Sequence, residues 1–410
     1  MKVLAIKACA PSPFKVYKKF MAAPPQSLFS LAASTPDHVE IELVDETIDM
    51  QVDFKTQADI IVLFFSTPDA LRGYEIADTF MKLGKTVILA GLHTMFNQEE
   101  ALDHCHGIMV GETEGIWEEL LSDFQNGFIR ERYQRTTEVD METLKPFPTD
   151  KISLEQYGYV WSVLVSRGCV NKCSYCLVNR FFHSMRYRPV DDVVEEIRQS
   201  KAKIIELHSD NLTADRAYAV ELFTKLKPLK IKWFAETTVS LADDDELLKL
   251  AAESGLSYLL LGLETPSGKA LKEADKEFMD ISRVKEQIKK LHKYGIIVDS
   301  GMLFGFDDHD REIFDETIQY ANHIDLDVMH GIIPIPFPGT KLYEQLEADG
   351  RILTKDWSKY DGRHLVFQHD HLTEEEILKG ISKFENNVYS LKAYFRYMKF
   401  VTAMGLSAMS

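Results

Sequence analysis

The stretch SRGCVNKCSYC, from Ser166 to Cys176, decides what fold to expect. It holds three of the chain's five cysteines, Cys169, Cys173 and Cys176, at the spacing C-x3-C-x2-C. Cysteines this close together either form a disulfide framework or present thiolates to an inorganic centre. Structural zinc takes four protein ligands, often as two C-x2-C pairs, and this sequence has no second pair. Three thiolates can instead hold three irons of a four-iron, four-sulfur cluster and leave the fourth iron open.

Composition limits the classes of protein that need to be considered. The 410 residues, 45% of them hydrophobic, are enough for two or three domains with buried cores. Five cysteines form an odd, sparse set that argues against a disulfide scaffold. The formal net charge of -17 argues against nucleic acid as the main partner, because phosphate binding needs a basic surface.

Neither a membrane span nor a leader is expected. No stretch approaches eighteen apolar residues, so we predict no transmembrane segment. The apolar run in residues 1–20 is interrupted by Lys7 and followed at once by prolines and lysines, unlike a signal peptide. We therefore expect a cytoplasmic protein.

Strand and helix patterns alternate in two successive runs. The first, residues 1–135, predicts a Rossmann-like open parallel sheet of about five strands. Residues 136–157 are polar and contain prolines, as linkers do. Residues 158–370 contain six apolar strand candidates with amphipathic helices between most of them, which predicts a partial (β/α)6 barrel with its active site at the strand C-terminal ends. Residues 371–410 are predicted to be helical. The cysteine stretch directly follows the first barrel strand.

The C-x3-C-x2-C spacing, with Tyr175 before the last cysteine, resembles the radical S-adenosylmethionine superfamily. The resemblance implies a 4Fe–4S cluster held by Cys169, Cys173 and Cys176, whose open iron chelates the methionine part of S-adenosylmethionine. One electron then cleaves the sulfonium to give methionine and a 5′-deoxyadenosyl radical. The alternatives for the triad are zinc and cysteines with no metal.

Other segments resemble the S-adenosylmethionine contacts of that family, in order along the strands. They are HSDN (208–211), FAETT, LLLGLETP (259–266), ALKEADKE, GMLFGF (301–306) and PIPFPGT (334–340). Taken without the resemblance, Glu264 would equally suit a salt bridge at the top of the barrel. The residues that the resemblance assigns to S-adenosylmethionine are Asp210, Asn211, Glu236, Gly262, Glu264, Lys276, Phe304 and Pro336.

The first 130 residues resemble the cobalamin (B12)-binding domain that precedes many radical S-adenosylmethionine enzymes. The cobalt-ligating D-x-H-x-x-G motif is absent between Val44 and Ala58, so bound cobalamin would carry no histidine on cobalt. An unoccupied relic domain is the alternative, and His93 also suits a loop-shaping hydrogen-bond role. The strand-end residues that the resemblance assigns to cobalamin are Ser66, Thr67, Gly91, His93, Thr94, Gly111 and Glu112.

Together these features predict a cobalamin-dependent radical S-adenosylmethionine methyltransferase acting on an unactivated carbon of a small-molecule or lipid-like substrate. An electron donor such as flavodoxin or ferredoxin is implied. The first alternative is a cobalamin-independent radical rearrangement or cyclisation; a non-catalytic sensor ranks below it. The sequence does not identify the substrate. Near the C-terminus, FRYMKF fits either a packed helix, which we favour, or a membrane-surface patch.

Overall fold

The computed structural model describes residues 1–11, 23–388 and 390–403. Residues 12–22, which include part of the N-terminal stretch discussed above, and 404–410, the end of the predicted helical tail, lie outside the described residues. Among the helices that are described, none is both long and apolar enough to cross a lipid bilayer.

The N-terminal part is built on one six-stranded parallel sheet, here called sheet A, in the order β2-β1-β3-β4-β5-β6. Every residue of the central strand Ile60–Phe64 is buried, as expected for a parallel sheet covered by helices on both faces. The strands are β1 (Lys2–Lys7), β2 (Glu40–Asp45), β3 (Ile60–Phe64), β4 (Thr86–Ala90), β5 (Gly107–Val110) and β6 (Arg132–Gln134). The helices between them are Gln26–Ser34, Ala70–Lys82, Leu92–Phe96, Gln98–Leu102 and Ile116–Gln125.

The second part is a six-stranded parallel barrel sheet, sheet B, whose strands follow one another in chain order. A two-stranded antiparallel ladder, β8 with β9, brackets the cysteine stretch. The two ladder strands are β8 (Ser166–Arg167) and β9 (Arg186–Tyr187). The six strands of sheet B are β7 (Val160–Leu164), β10 (Ile204–His208), β11 (Lys232–Thr237), β12 (Leu256–Leu261), β13 (Ile297–Leu303) and β14 (Val328–Ile332).

Helices cover the outside of sheet B, and several begin at an acidic or hydroxyl cap. Asp244 accepts a hydrogen bond from the backbone N–H of Leu247, which fixes the start of the helix Asp245–Ser254. The helices are Val178–Phe181, Val190–Ser200, Arg216–Leu226, Asp245–Ser254, Gly268–Glu273, Val284–Lys293, Ile313–Ile324 and Lys341–Ala348. Two more, Glu374–Asn387 and Leu391–Ala403, form the C-terminal part.

The predicted fold class is confirmed: an open parallel sheet, then a six-stranded parallel barrel and C-terminal helices. The prediction of about five strands in the first sheet falls one short. The extra strand, β6, has only three residues and lies at the sheet edge, too short to leave a hydrophobic pattern. The domain limits proposed from the sequence stay a prediction.

Candidate active site

The three clustered cysteines lie on a loop at the mouth of the barrel. Gly168 starts the loop in a left-handed conformation (φ 89°), and an added Cβ would lie 2.3 Å from the carbonyl oxygen of Ser184, so no other residue fits here. The backbone N–H of Asn171 points to the sulfur of Cys169 at 3.5 Å. The backbone N–H of Cys176 donates to the carbonyl of Cys173 at 3.1 Å, which closes the turn between them. All three thiols are free and partly exposed.

The pKa values of these three thiols depend on burial, on one another and on the charge of Lys276. Burial raises the pKa of all three thiols, to about 11 for Cys176. The charge of Lys276 opposes this rise for Cys169 and Cys173. Among the described residues no three Cys, His, Asp or Glu side chains converge as the ligands of one metal ion do. In a 4Fe–4S cluster each cysteine thiolate binds a different iron, so the three sulfurs need not converge on one point. The three cysteines, with the N–H of Asn171 pointing to the sulfur of Cys169, therefore fit the ligands of such a cluster.

Glu264 and Lys276 form an ion pair beside the cysteines. The carboxylate Oε1 of Glu264 lies 2.6 Å from Nζ of Lys276, and both side chains are nearly buried. Glu264 has a left-handed backbone (φ 62°), which is strained for a residue with a side chain. A Cβ on Gly262 would lie 2.5 Å from both Oε1 of Glu264 and Nζ of Lys276. The structure therefore brings Gly262, Glu264 and Lys276 together, as the resemblance predicted. It also contains the salt bridge that was the alternative role for Glu264.

Asp210 and Asn211 follow β10 and face the same loop. Oδ2 of Asp210 accepts a hydrogen bond from the backbone N–H of Gly168 at 3.1 Å, immediately before Cys169. Oδ1 of Asn211 accepts one from the hydroxyl of Thr237 at 3.2 Å. Burial raises the pKa of Asp210. Both residues therefore connect the end of β10 to the cysteine loop or to β11.

Inside the barrel mouth lies an acidic cluster around a histidine. Nδ1 of His208 is 3.5 Å from Oε1 of Glu206. Burial lowers the pKa of His208, but the carboxylates of Glu206, Asp210 and Glu236 together bring it above its usual value. Burial, with a contribution from Asp210 and Glu206, raises the pKa of Glu236 to about 7. Glu206 was missed in the sequence, although its two-residue offset from His208 on one strand signals a shared face.

Two further predicted S-adenosylmethionine contacts, Phe304 and Pro336, are buried. Phe304 is fully buried and packs against Phe314 and Phe384, with ring centroids 5.2 and 5.3 Å away. Its side chain therefore faces the covering helices, and its assignment to S-adenosylmethionine stays a prediction. Pro336 is buried in the loop after β14 and stays a prediction.

The carboxyl edge of sheet A contains both open and closed positions. Ser66 donates to Oδ2 of Asp69 at 2.6 Å and remains partly exposed, as does Gly91. An added Cβ on Gly111 would meet no atom within 4 Å. This edge, at Ser66, Gly91 and Gly111, is called the sheet A rim below. The open space at Gly111 fits a ligand laid against the rim.

His93, Thr67 and Thr94 lie beneath the rim rather than on it. His93 is fully buried, with Nδ1 3.3 Å from the hydroxyl of Thr67 and Nε2 3.1 Å from that of Tyr74. Thr94 is also fully buried, and its hydroxyl donates to the carbonyl of Ala90. Protein atoms cover all three side chains, and their assignment to cobalamin stays a prediction. The contacts of His93 fit its alternative role, shaping the loop.

Glu112 links sheet A to the cysteine loop. Its Oε1 lies 2.6 Å from Nη1 of Arg167, and its Oε2 lies 3.1 Å from Arg186. Glu114 binds the other arm of Arg167 at 2.6 Å. All of these side chains are largely buried. Because Arg167 precedes Cys169 by two residues, the network joins the loop after β5 to the start of the cysteine loop. The carboxylate of Glu112 is bound by two arginines and is not open to a ligand.

A cavity of about 390 Å³ lies next to this network. It is bounded by the helix Gln26–Ser34, the loop after β5 and the segment 139–147, and Arg188 and Glu196 line its barrel side. Its size is within the range of small-molecule pockets.

Comparison with known proteins identifies the family of the barrel. Residues 163–321 match the family model described as "Radical SAM superfamily". The bacteriochlorophyllide d C-12(1)-methyltransferase of Chlorobaculum tepidum is 27% identical over 390 residues, covering 92% of this chain and 84% of its own length. The bacteriochlorophyllide d C-8(2)-methyltransferase of the same organism is 29% identical over 376 residues, covering 85% of this chain and 83% of its own.

A solved structure shares the fold over most of this chain. It is the radical S-adenosylmethionine methyltransferase TsrM from Kitasatospora setae, determined with cobalamin and a 4Fe–4S cluster bound. The TM-score is 0.68 at 17% identity, over 85% of this chain and 78% of that one. The likeness establishes a common fold for the two chains.

Proposed function

Because residues 163–321 belong to the radical S-adenosylmethionine superfamily, we propose that this enzyme is a cobalamin-dependent methyltransferase that acts on an unactivated carbon. One observation carries the proposal: Arg167, two residues before Cys169, binds Glu112 and Glu114 in the loop after β5. The predicted cluster loop and the edge of the predicted cobalamin domain thus share one buried ion-pair network. Two relatives named as methyltransferases match over most of this chain and support the same reading.

At the barrel mouth, the chain's own residues would bind and orient the cofactors. Cys169, Cys173 and Cys176 are proposed to hold the cluster, which when bound supplies the electron that cleaves S-adenosylmethionine. Glu264 and Lys276 offer one carboxylate and one ammonium beside it, matching the amino and carboxylate groups of a methionine moiety. Asp210 and Glu236 add acceptors on the side of β10 and β11.

At the sheet A rim, the chain is proposed to hold cobalamin without a histidine on cobalt. His93 is fully buried and hydrogen-bonded on both ring nitrogens, so it is not a free ligand. The open space at Gly111 and the neighbouring cavity would receive parts of the corrinoid. Bound cobalamin would supply the methyl group that the product gains.

The substrate is proposed to be a small molecule or a lipid-like molecule, in line with relatives named for bacteriochlorophyllides. The acidic groups in the barrel mouth would contact its polar part or the cofactor's ribose hydroxyls. A reductant such as flavodoxin or ferredoxin would supply electrons, in the cytoplasm.

A matched pair of glycine variants tests cobalamin binding. The protein is reconstituted anaerobically with iron and sulfide, offered hydroxocobalamin under reducing conditions and passed through gel filtration. The wild type should retain the corrinoid, and Gly111→Trp should lose it with its iron content unchanged. The control is Gly127→Trp, which has a similar backbone (φ 85° against 88°) and equally open surroundings.

The same material tests methyl transfer. With methyl-labelled S-adenosylmethionine, the corrinoid on the wild type should acquire the label. If the wild type forms 5′-deoxyadenosine but retains no corrinoid, the enzyme has no methyl carrier, and cobalamin-independent radical rearrangement becomes the better account.

A further inference from the structure

The C-terminal helix Leu391–Ala403 lies across the base of the barrel, the end at which the strands begin. Phe400 and Val401 on its inner face are buried in one apolar cluster with the first residues of three strands, Val160, Ile204 and Ile297. Arg396 anchors it further through ion pairs with Asp325 and Asp327. The helix thus closes the barrel at the end opposite the cysteines.

The outer face of the same helix is apolar and uncovered. Leu391 is 78% exposed and Phe395 is 66% exposed, and Tyr394 and Met398 are exposed as well. These four residues, at positions i, i+3, i+4 and i+7, form one stripe, called the C-terminal stripe below. Lys392 and Lys399 follow the stripe at an interval of seven residues, so both lie along one side of it. The helix contains no acidic residue.

Several lysines stand at the same end of the barrel as this stripe, where the connections into the barrel strands end. Lys201 and Lys203 precede β10, Lys230 and Lys232 stand at the start of β11, and Lys293 precedes β13. All five are exposed, and none has an ion-pair partner within the described part of the chain. They are called the base lysines below.

Two of the base lysines lie side by side. The backbone N–H of Lys232 donates to the carbonyl of Lys203 at 2.8 Å, which places two unpaired cations on adjacent strands. Two carboxylates at this end are already bound: Asp325 by Lys392 and Arg396, and Glu253 by Lys227. Five lysines without an ion-pair partner among the described residues therefore stand at one end of a chain whose net charge is -17.

We propose that the barrel base is a docking surface for an anionic lipid membrane, with the C-terminal stripe in the interface and the base lysines on the headgroups. A helix with an exposed aromatic and aliphatic face flanked by lysines is suited to lie in the plane of a membrane surface. Clustered lysines add attraction to anionic headgroups within a Debye length. The active site, at the other end of the strands, stays clear of the membrane.

Other occupants fit the charge pattern less well. A second copy of this chain would bring like-charged lysines together around the stripe, with no carboxylate set to receive them. Nucleic acid would suit the lysines, but it would leave the four apolar side chains of the stripe in water. A lipid surface satisfies both features.

The test uses the full reconstituted chain and vesicle flotation. Vesicles of phosphatidylcholine alone are compared with vesicles that also contain phosphatidylglycerol, at low and high salt. We expect the wild type to float with the anionic vesicles at low salt, with at least a tenfold lower partition coefficient on neutral vesicles. The double variants Leu391→Ser/Phe395→Ser and Lys203→Glu/Lys232→Glu should each lower partitioning at least tenfold.

Matched controls separate this surface from general exposure and charge. Leu353→Ser changes an exposed leucine outside the base, and Lys55→Glu/Lys82→Glu changes two exposed lysines of the sheet A part; both should partition as the wild type does. Iron content, which depends on the opposite end of the barrel, checks that every variant is folded. If the wild type stays unbound to anionic vesicles, the proposal is overturned. It is equally overturned if light scattering shows a dimer that the stripe variant abolishes, or if RNA binds and vesicles do not.

Discussion

Oε1 of Glu264 and Nζ of Lys276 lie 2.6 Å apart, directly above the Cα of Gly262. The left-handed backbone at Glu264 costs about 1 kcal/mol or more, and the strain persists because it aims the carboxylate at Lys276. The pair lies within electrostatic reach of Cys173. It therefore places opposite charges beside the sulfur where the methionine part of S-adenosylmethionine is expected.

Gly262→Ala should weaken S-adenosylmethionine binding by at least tenfold and leave iron content unchanged. The new Cβ would lie 2.5 Å from both charged atoms and push the pair apart. Isothermal titration of the reconstituted protein measures the affinity. Gly268→Ala, where a Cβ meets no atom within 4 Å, is the matched control and should bind as the wild type does. Equal affinities in the two variants would remove the Glu264–Lys276 pair from the site.

The pH dependence of S-adenosylmethionine binding should reveal Glu236. Its pKa is raised to about 7, so the carboxylate is mostly neutral at pH 6 and mostly ionised at pH 8. If the ionised form accepts hydrogen bonds from the ligand, affinity rises as pH increases through 7. Glu236→Gln should remove this rise and leave only the ligand's own titration. A variant profile that follows the wild type at every pH would show that Glu236 does not contact the ligand.

Arg167→Met should destabilise the protein by about 3–5 kcal/mol, because Glu114 would remain buried without its partner and Glu112 would keep only Arg186. Denaturant unfolding measures the change in the free energy of unfolding. The control Arg216→Met breaks a more exposed pair with Asp244 and should cost only about 0.2–1 kcal/mol. Neutralising both glutamates in the Arg167→Met background should restore part of the loss. Similar losses for both arginine variants would mean that the network is no more than a surface pair.

The sequence predicted the parts of this protein that leave a local or regular pattern. The spacing of the cysteines predicted the cysteine loop, and the apolar runs along the chain predicted both parallel sheets. The direction of the Phe304 side chain could not be predicted, because the preceding strand β13 is almost wholly buried and its sequence does not alternate apolar and polar residues. His93 was assigned to a ligand because a strand-end position does not reveal Thr67 and Tyr74 behind it.

Contacts between distant segments were out of reach of the sequence. The bond from Arg167 to Glu112 joins residues 55 positions apart, and no spacing rule connects them. The two interpretations of FRYMKF could not be separated by sequence either: Phe400 is packed in the barrel base, whereas Phe395 is exposed.

His93→Ala should leave the absorption spectrum of bound cobalamin unchanged, because the ring is fully buried and hydrogen-bonded to Thr67 and Tyr74. The same substitution should lower the free energy of unfolding by about 1–3 kcal/mol, since two buried hydroxyls lose a partner. Absorbance of the loaded protein and a denaturant curve of the unloaded protein give the two values. A shifted corrin spectrum would instead place His93 on cobalt.

The most direct test of the central claim is the yield of 5′-deoxyadenosine when the anaerobically reconstituted protein is given S-adenosylmethionine and dithionite. The account predicts product from a wild type that carries about four irons per chain, and none from the Cys169→Ala/Cys173→Ala/Cys176→Ala variant, whose iron content should fall close to zero. Stoichiometric zinc in the wild type, with no 5′-deoxyadenosine formed, would contradict it.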